Sequence, residues 1–216
     1  MGFMTSPASD SLKEIIVRLD QRILAVDEER WLSSRYASPA HREVLIVLYA
    51  FYYELARVRV AVSDATLGQI RFQWWRDALS DMALGHIRQH DVVLALAKPI
   101  EQEVLKQDDL LRLVDRHEAA FMADDRSLEP EGDLAQIAVR VLGGADKTRI
   151  EEIAQVWSAL RRGDPAPGSV ARFRVTSTAR PAVAHFRLRH AWSSGPSIGA
   201  FMRRVIVFVA MLTGRI

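Results

Sequence analysis

The sequence predicts an all-α fold, a multi-helix bundle, on three observations. Apolar residues recur at helical spacing through most of the chain. Several of these runs open on capping residues or close on glycine. The only alternating stretch, 170–175 (VARFRV), has no second strand to pair with and reads as a loop or an edge-like crossing. At 216 residues the chain suffices for one sizeable domain and is short for two. All of 1–216 is therefore read as a single helical domain, with 1–10 a flexible polar leader.

In order, Ser11, Leu12, Lys13 and Glu14 have the pattern of a capping box. Leu12, Ile15, Ile16, Leu19, Ile23 and Leu24 then repeat on one helical face. A short helix is expected over 27–36, with Trp31 and Leu32 inward. Ser38 and Pro39 open the next: a capping hydroxyl, then proline at the first helical position, where its missing N–H costs nothing. This helix holds the longest apolar run, 44–53, and is expected to reach Ala61. Asp64 can cap a further helix to about Leu84, with Leu67, Ile70, Trp74 and Ala78 on one stripe and Gly85 as terminator. The pattern repeats over 92–106, 108–122 and 133–142, breaks at Gly143 and Gly144, and resumes over 147–162. Turn formers fill 163–169, after which 182–191 reads as helix, 192–196 as turn and 198–212 as a final helix.

Composition narrows the chemistry. Without cysteine there is no disulfide, no thiol nucleophile and no cysteine-ligated metal. The net charge of +2 hides an asymmetry: from Leu160 onward there are ten arginines and one acid, Asp164, while the rest of the chain is acidic. Such a basic last quarter suggests an anionic partner for that end, or an internal acidic face that it covers. Residues 1–11 have no secretory pattern, and the apolar runs 44–53 and 205–212 fall far short of the ~20 residues that span a bilayer. The expected location is cytoplasmic, peripheral to a membrane if the basic quarter meets acidic lipid. No nucleic-acid module surrounds the arginines of 172–189, and no nucleic acid is expected as a partner.

The stretch 48–59 (LYAFYYELARVR) followed by 67–79 (LGQIRFQWWRDAL) resembles the squalene/phytoene synthase family of all-α isoprenoid synthases. In catalytic members, the resemblance implies, the helix beginning at Tyr49 carries an aspartate motif that holds Mg²⁺ against a substrate diphosphate. A hard dication needs such oxygen ligands, and it neutralises the leaving group. Laid on that pattern, the positions that should be acidic are Ala56, Arg57, Val60 and Ala61. A second acidic motif belongs in 154–166, where only Arg161, Arg162 and Asp164 precede the prolines. With both platforms gone, the chain is similar to the branch of the family that includes complex I assembly factors. The implied role is binding or assembly without catalysis, with an isoprenoid or lipid, a protein partner, and no cofactor.

Candidate ligand-binding residues on the two central helices are Tyr49, Tyr52, Arg57, Arg71, Trp75 and Arg76. The arginines, with Arg59, either bind an anionic head group directly or pair with Glu54, Asp64 and Asp77. The tryptophans Trp74 and Trp75 and the tyrosines Tyr49, Tyr52 and Tyr53 either form core or wall an apolar tail. The alternative is a working Mg²⁺-dependent prenyl transferase using Glu54 and the pair Asp77 and Asp81, which stand four apart. His86, His90 and Asp91 have metal-like spacing without a third ligand in reach. A further reading is an adaptor on an anionic membrane surface through the basic last quarter, with salt-sensitive binding.

Overall fold

A computed structural model describes residues 7–144, 148–168, 171–193 and 198–216. Among these residues the chain forms twelve α-helices: α1 (Pro7–Val26), α2 (Glu28–Ser34), α3 (Pro39–Ala56), α4 (Val58–Ala61), α5 (Ala65–Ala83), α6 (Asp91–Glu101), α7 (Gln107–Met122), α8 (Glu131–Val141), α9 (Thr148–Arg162), α10 (Arg180–Val183), α11 (Arg189–Trp192) and α12 (Ala200–Thr213). Two 3-10 turns, Arg126–Leu128 and Ala184–Leu188, join them. The only β pairing among the described residues is one antiparallel bridge, Arg174 to Arg215. No described helix is long and apolar enough to cross a membrane.

The architecture is arranged around α3. Every residue from Leu45 to Tyr52 is buried, as expected of a helix that is apolar all round. It packs against α1, α2, α6, α7 and α8. Its start follows the expected chemistry: Ser38 accepts from the His41 amide at 3.4 Å, and Pro39 occupies the first turn. The helix does not run unbroken to Ala61. It hitches at Arg57, whose amide still donates to Tyr53 at 2.9 Å, and α4 continues the direction for one more turn.

Three other expectations are corrected. The Ser11–Glu14 pattern lies inside α1, which already begins at Pro7, so it caps nothing. On α5 the predicted stripe is turned by one step: Leu67 and Ile70 face water, and Gly68, Phe72, Trp75, Ala78 and Leu79 are buried. The reason is α7. Its Phe121 ring lies where a side chain at position 68 would stand, so only glycine admits the approach of the two helices, and that contact sets the rotation of α5. Asp64 nevertheless caps α5 as expected, accepting from the Leu67 amide at 2.9 Å. The segment expected as one helix over 182–191 is broken instead into α10, a 3-10 turn and α11. Of the remaining expectations, the 1–10 leader up to residue 6, parts of the 163–169 turn and most of the 192–196 turn lie outside the described residues.

At the C-terminal end, Arg180 donates to the Met211 and Leu212 carbonyls of α12 at 2.9 and 3.1 Å. Gly214 then takes the left-handed conformation (φ 66°) that ends the helix. Phe173 and Ile216 exchange backbone hydrogen bonds of 2.8 Å in both directions, which ties the last residues to 173–175. Residues 173–175 of the isolated VARFRV stretch thus pair with 214–216.

Candidate functional site: a charged cavity between α3, α4 and α9

A cavity of about 670 Å³ opens where the end of α3 and α4 face α9. Ala56, Arg57, Val60 and Ala61, the positions expected to be acidic in a catalytic relative, all line it. Opposite them stand Ser158, Arg161 and Arg162 of α9, from the segment where the second acidic motif was expected. The two platforms therefore still confront each other across a cavity, and neither offers a carboxylate pair. Magnesium does not fit this donor set: alanine and valine have no ligand atoms, and guanidinium repels a cation.

Three carboxylates that sequence reasoning did not select do line the cavity: Asp27, Glu129 and Glu131. Each is engaged by arginine. Arg30, buried at 4% exposure, bonds both Asp27 and Glu131. Burial alone would raise the Asp27 carboxyl, but the charges of Arg30 and Arg161 outweigh it and hold that group down at about 2. Burial likewise disfavours the Arg30 cation, and its two carboxylates reverse the effect and raise its pKa. Glu129 lies between Arg126 at 3.4 Å and Arg59 at 3.8 Å, and burial raises its pKa. Among the described residues no three His, Asp or Glu side chains come together as metal ligands.

The floor is aromatic. The Arg30 guanidinium lies 5.8 Å from the Tyr49 ring centroid, 5.4 Å from Tyr52 and 4.9 Å from Trp157. The Tyr49 side chain lines the cavity, and its buried hydroxyl has no hydrogen-bond partner among the described residues. Burial pushes the pKa of both tyrosines up, so both are neutral phenols. At the rim, Arg57 pairs loosely with Glu54 at 3.4 Å, and Arg162 bonds Asp164 at 2.7 Å and the Ser158 hydroxyl at 2.6 Å. Arg161 reaches Asp27 at 3.2 Å and Glu29 at 3.3 Å.

Of the six residues selected from sequence, Tyr49, Tyr52 and Arg57 come together at this cavity, and Arg71, Trp75 and Arg76 do not. Trp75 packs edge-on against Phe51 and His90 in the core. Arg76 bonds Asp115 at 2.8 Å and Glu118, both on α7, rather than Asp77. Arg71 is exposed on α5. Arg59 bonds Asp124 at 2.7 Å and the Ala120 carbonyl at 2.6 Å. The acidic pair Asp77 and Asp81 shares Arg88, at 4.0 and 2.8 Å, so a guanidinium sits where a cation would have to bind. His90 rests against Trp74 and Trp75, while Asp91 is held by Arg18 at 2.9 and 3.0 Å. Asp27 with Arg30, three apart at a helix start, was the sequence signal for the missed floor; Glu131, more than a hundred residues on, gave none.

The sequence profile of the squalene/phytoene synthase family matches residues 23–139, more than half of the chain. The chain belongs to that family, in an all-α form that carries arginine and small apolar residues where the metal ligands are expected. Among curated proteins it is similar to complex I assembly factor 6 of mouse, 30% identical over 131 residues, which cover 56% of this chain and 39% of the mouse protein. The rat and human proteins of that name are 34% and 30% identical over 92 residues, 43% of this chain and 28% of theirs. The matched part is thus well under half of each relative's length. No solved structure matches the chain significantly.

Proposed function

We propose that this protein is a non-catalytic member of its family that acts in binding or assembly, and that its cavity holds an isoprenoid or lipid by an anionic head group without a metal. The observation that carries the reading is the chemistry of the two facing platforms: Ala56, Arg57, Val60 and Ala61 on one side, Ser158, Arg161 and Arg162 on the other. Guanidinium groups bind phosphate oxygens directly and need no bridging cation. Arg57, Arg126, Arg161 and Arg162 supply the donors at the rim, and the free Tyr49 hydroxyl supplies one at the floor. The assembly role is supported by relatives named as complex I assembly factor 6, and a protein partner follows from it.

Purified protein given Mg²⁺ with farnesyl or geranylgeranyl diphosphate is expected to release no pyrophosphate above a protein-free control. Release that EDTA abolishes would return the chain to the enzymes.

A further inference from the structure

The arginines of the last quarter divide into groups by what they touch. Arg161, Arg203 and Arg204 meet Asp27, Glu28 and Glu29, so part of the basic quarter does cover an acidic face, while Arg162 pairs with Asp164. Arg180 and Arg189 are spent on backbone carbonyls. Arg172, Arg174 and Arg215 have no acidic partner among the described residues, and all are exposed. Half-buried Arg187 lies beside them and donates to the Arg215 carbonyl at 2.7 Å. Burial lowers the Arg187 pKa and the nearby charges of Arg172 and Arg215 lower it further, which places these cations close enough to repel. The Arg174–Arg215 bridge fixes two of them side by side.

This cluster sits at the C-terminal end of α12, whose outward face is apolar. Val207 and Ala210 point into the core, so the opposite side carries Phe201, Val205, Phe208 and Leu212, at spacings of four, three and four. Phe201 is 78% exposed and Leu212 63%. Tyr36 extends the patch, its ring centroid 6.4 Å from Phe208.

An apolar helix face and, at its end, a cation cluster with no ion pair among the described residues ask for a partner that is apolar and anionic at once. We propose that α12 docks on an anionic lipid surface. Phe201, Val205, Phe208 and Leu212 enter the head-group boundary, and Arg172, Arg174, Arg187 and Arg215 meet lipid phosphates. A nucleic acid would satisfy the arginines and leave the aromatic face in water. A second copy of the chain is disfavoured by area: a single stripe about 20 Å long on one helix offers well below the ~800 Å² per partner of a stable interface. The proposal uses none of the residues that line the cavity and survives if the cavity binds nothing.

The test is co-sedimentation of the full chain with phosphatidylcholine vesicles, with and without phosphatidylglycerol, across a salt series. Binding is expected only with phosphatidylglycerol and is expected to fade as salt rises. Phe201→Ser, Phe208→Ser and Leu212→Ser together should abolish it, with the helical circular dichroism retained. Arg172→Gln and Arg174→Gln should each weaken partitioning about fivefold, while Arg71→Gln, on α5, should change nothing. Binding that is absent, equal on neutral vesicles, or indifferent to the serine variants overturns the proposal. So does a dimer in sedimentation velocity that the serine variants dissociate without any vesicle binding.

Discussion

Replacing Arg30 with methionine is expected to destabilise the protein by about 3–5 kcal/mol, because it leaves two buried carboxylates without their counter-charge. Arg30 is buried, lies against three aromatic rings, and is the common partner of Asp27 on the loop before α2 and Glu131 at the start of α8. A loss of that size is a large part of the ~5–15 kcal/mol that holds a typical domain folded, and urea denaturation will read it directly. Lysine is expected to restore only part, since one ammonium cannot present the guanidinium fork to two carboxylates. Adding Asp27→Asn and Glu131→Gln to Arg30→Met should recover much of the loss, because the penalty belongs to uncompensated charge rather than to a missing contact. A single Arg30→Met variant within about 1 kcal/mol of the parent would mean that the network is solvated and that the cavity floor is not built on it.

The second large effect is on acid stability, and it comes from histidines outside the cavity lining. Burial, with a smaller contribution from Arg59, pushes His117 from 6.5 down to about 3. Burial and then the Arg30 charge hold His185 well below its ordinary value. Neither His185 ring nitrogen has a hydrogen-bond partner among the described residues, and the ring lies edge-on to Trp157. In both cases the folded-state pKa lies below that of the unfolded chain. Between the two values the unfolded state binds the proton and the folded state does not, so stability is full above about pH 6.5 and falls as the pH drops below it. Each histidine contributes a slope approaching about 1.4 kcal/mol per pH unit, and two together would erase several kcal/mol by pH 5. Asp27, depressed to about 2, adds a loss in the same direction but only below its unfolded value of 3.8. Denaturation midpoints taken from pH 7.5 to 4.5 should therefore be level at first and then drop steeply. His117→Phe should remove about one proton's worth of that slope, and level stability down to pH 5 would contradict the burial of both rings.

What could be read from the sequence follows from how local the physics is. The α3 start needs only Ser38 and Pro39, and the α5 cap needs only Asp64 and the Leu67 amide, so both could be placed from neighbouring residues. The rotation of α5 could not, because it is set by Phe121 reaching Gly68 from a helix about fifty residues on. The same division runs through the site. Tyr49, Tyr52 and Arg57 share one helix and its hitch, and their spacing brings them to the cavity together. Arg126, Glu129 and Glu131 arrive from a turn and a helix start with no periodic signal, and the Arg30 network that carries the floor joins residues more than a hundred apart. Arg76 illustrates the opposite failure: its sequence neighbour Asp77 suggested a pair, but the packing of α5 on α7 gives it Asp115 and Glu118 instead.

The proposed function requires that arginines, without a metal, hold an anion between α3, α4 and α9. Calorimetric titration of the protein with inorganic diphosphate, once in EDTA and once in Mg²⁺, tests it most directly. Saturable binding of equal affinity in both, weakened by Arg57→Gln and by Arg161→Gln, is the predicted result. Binding that requires Mg²⁺, or no binding in either buffer, would contradict it.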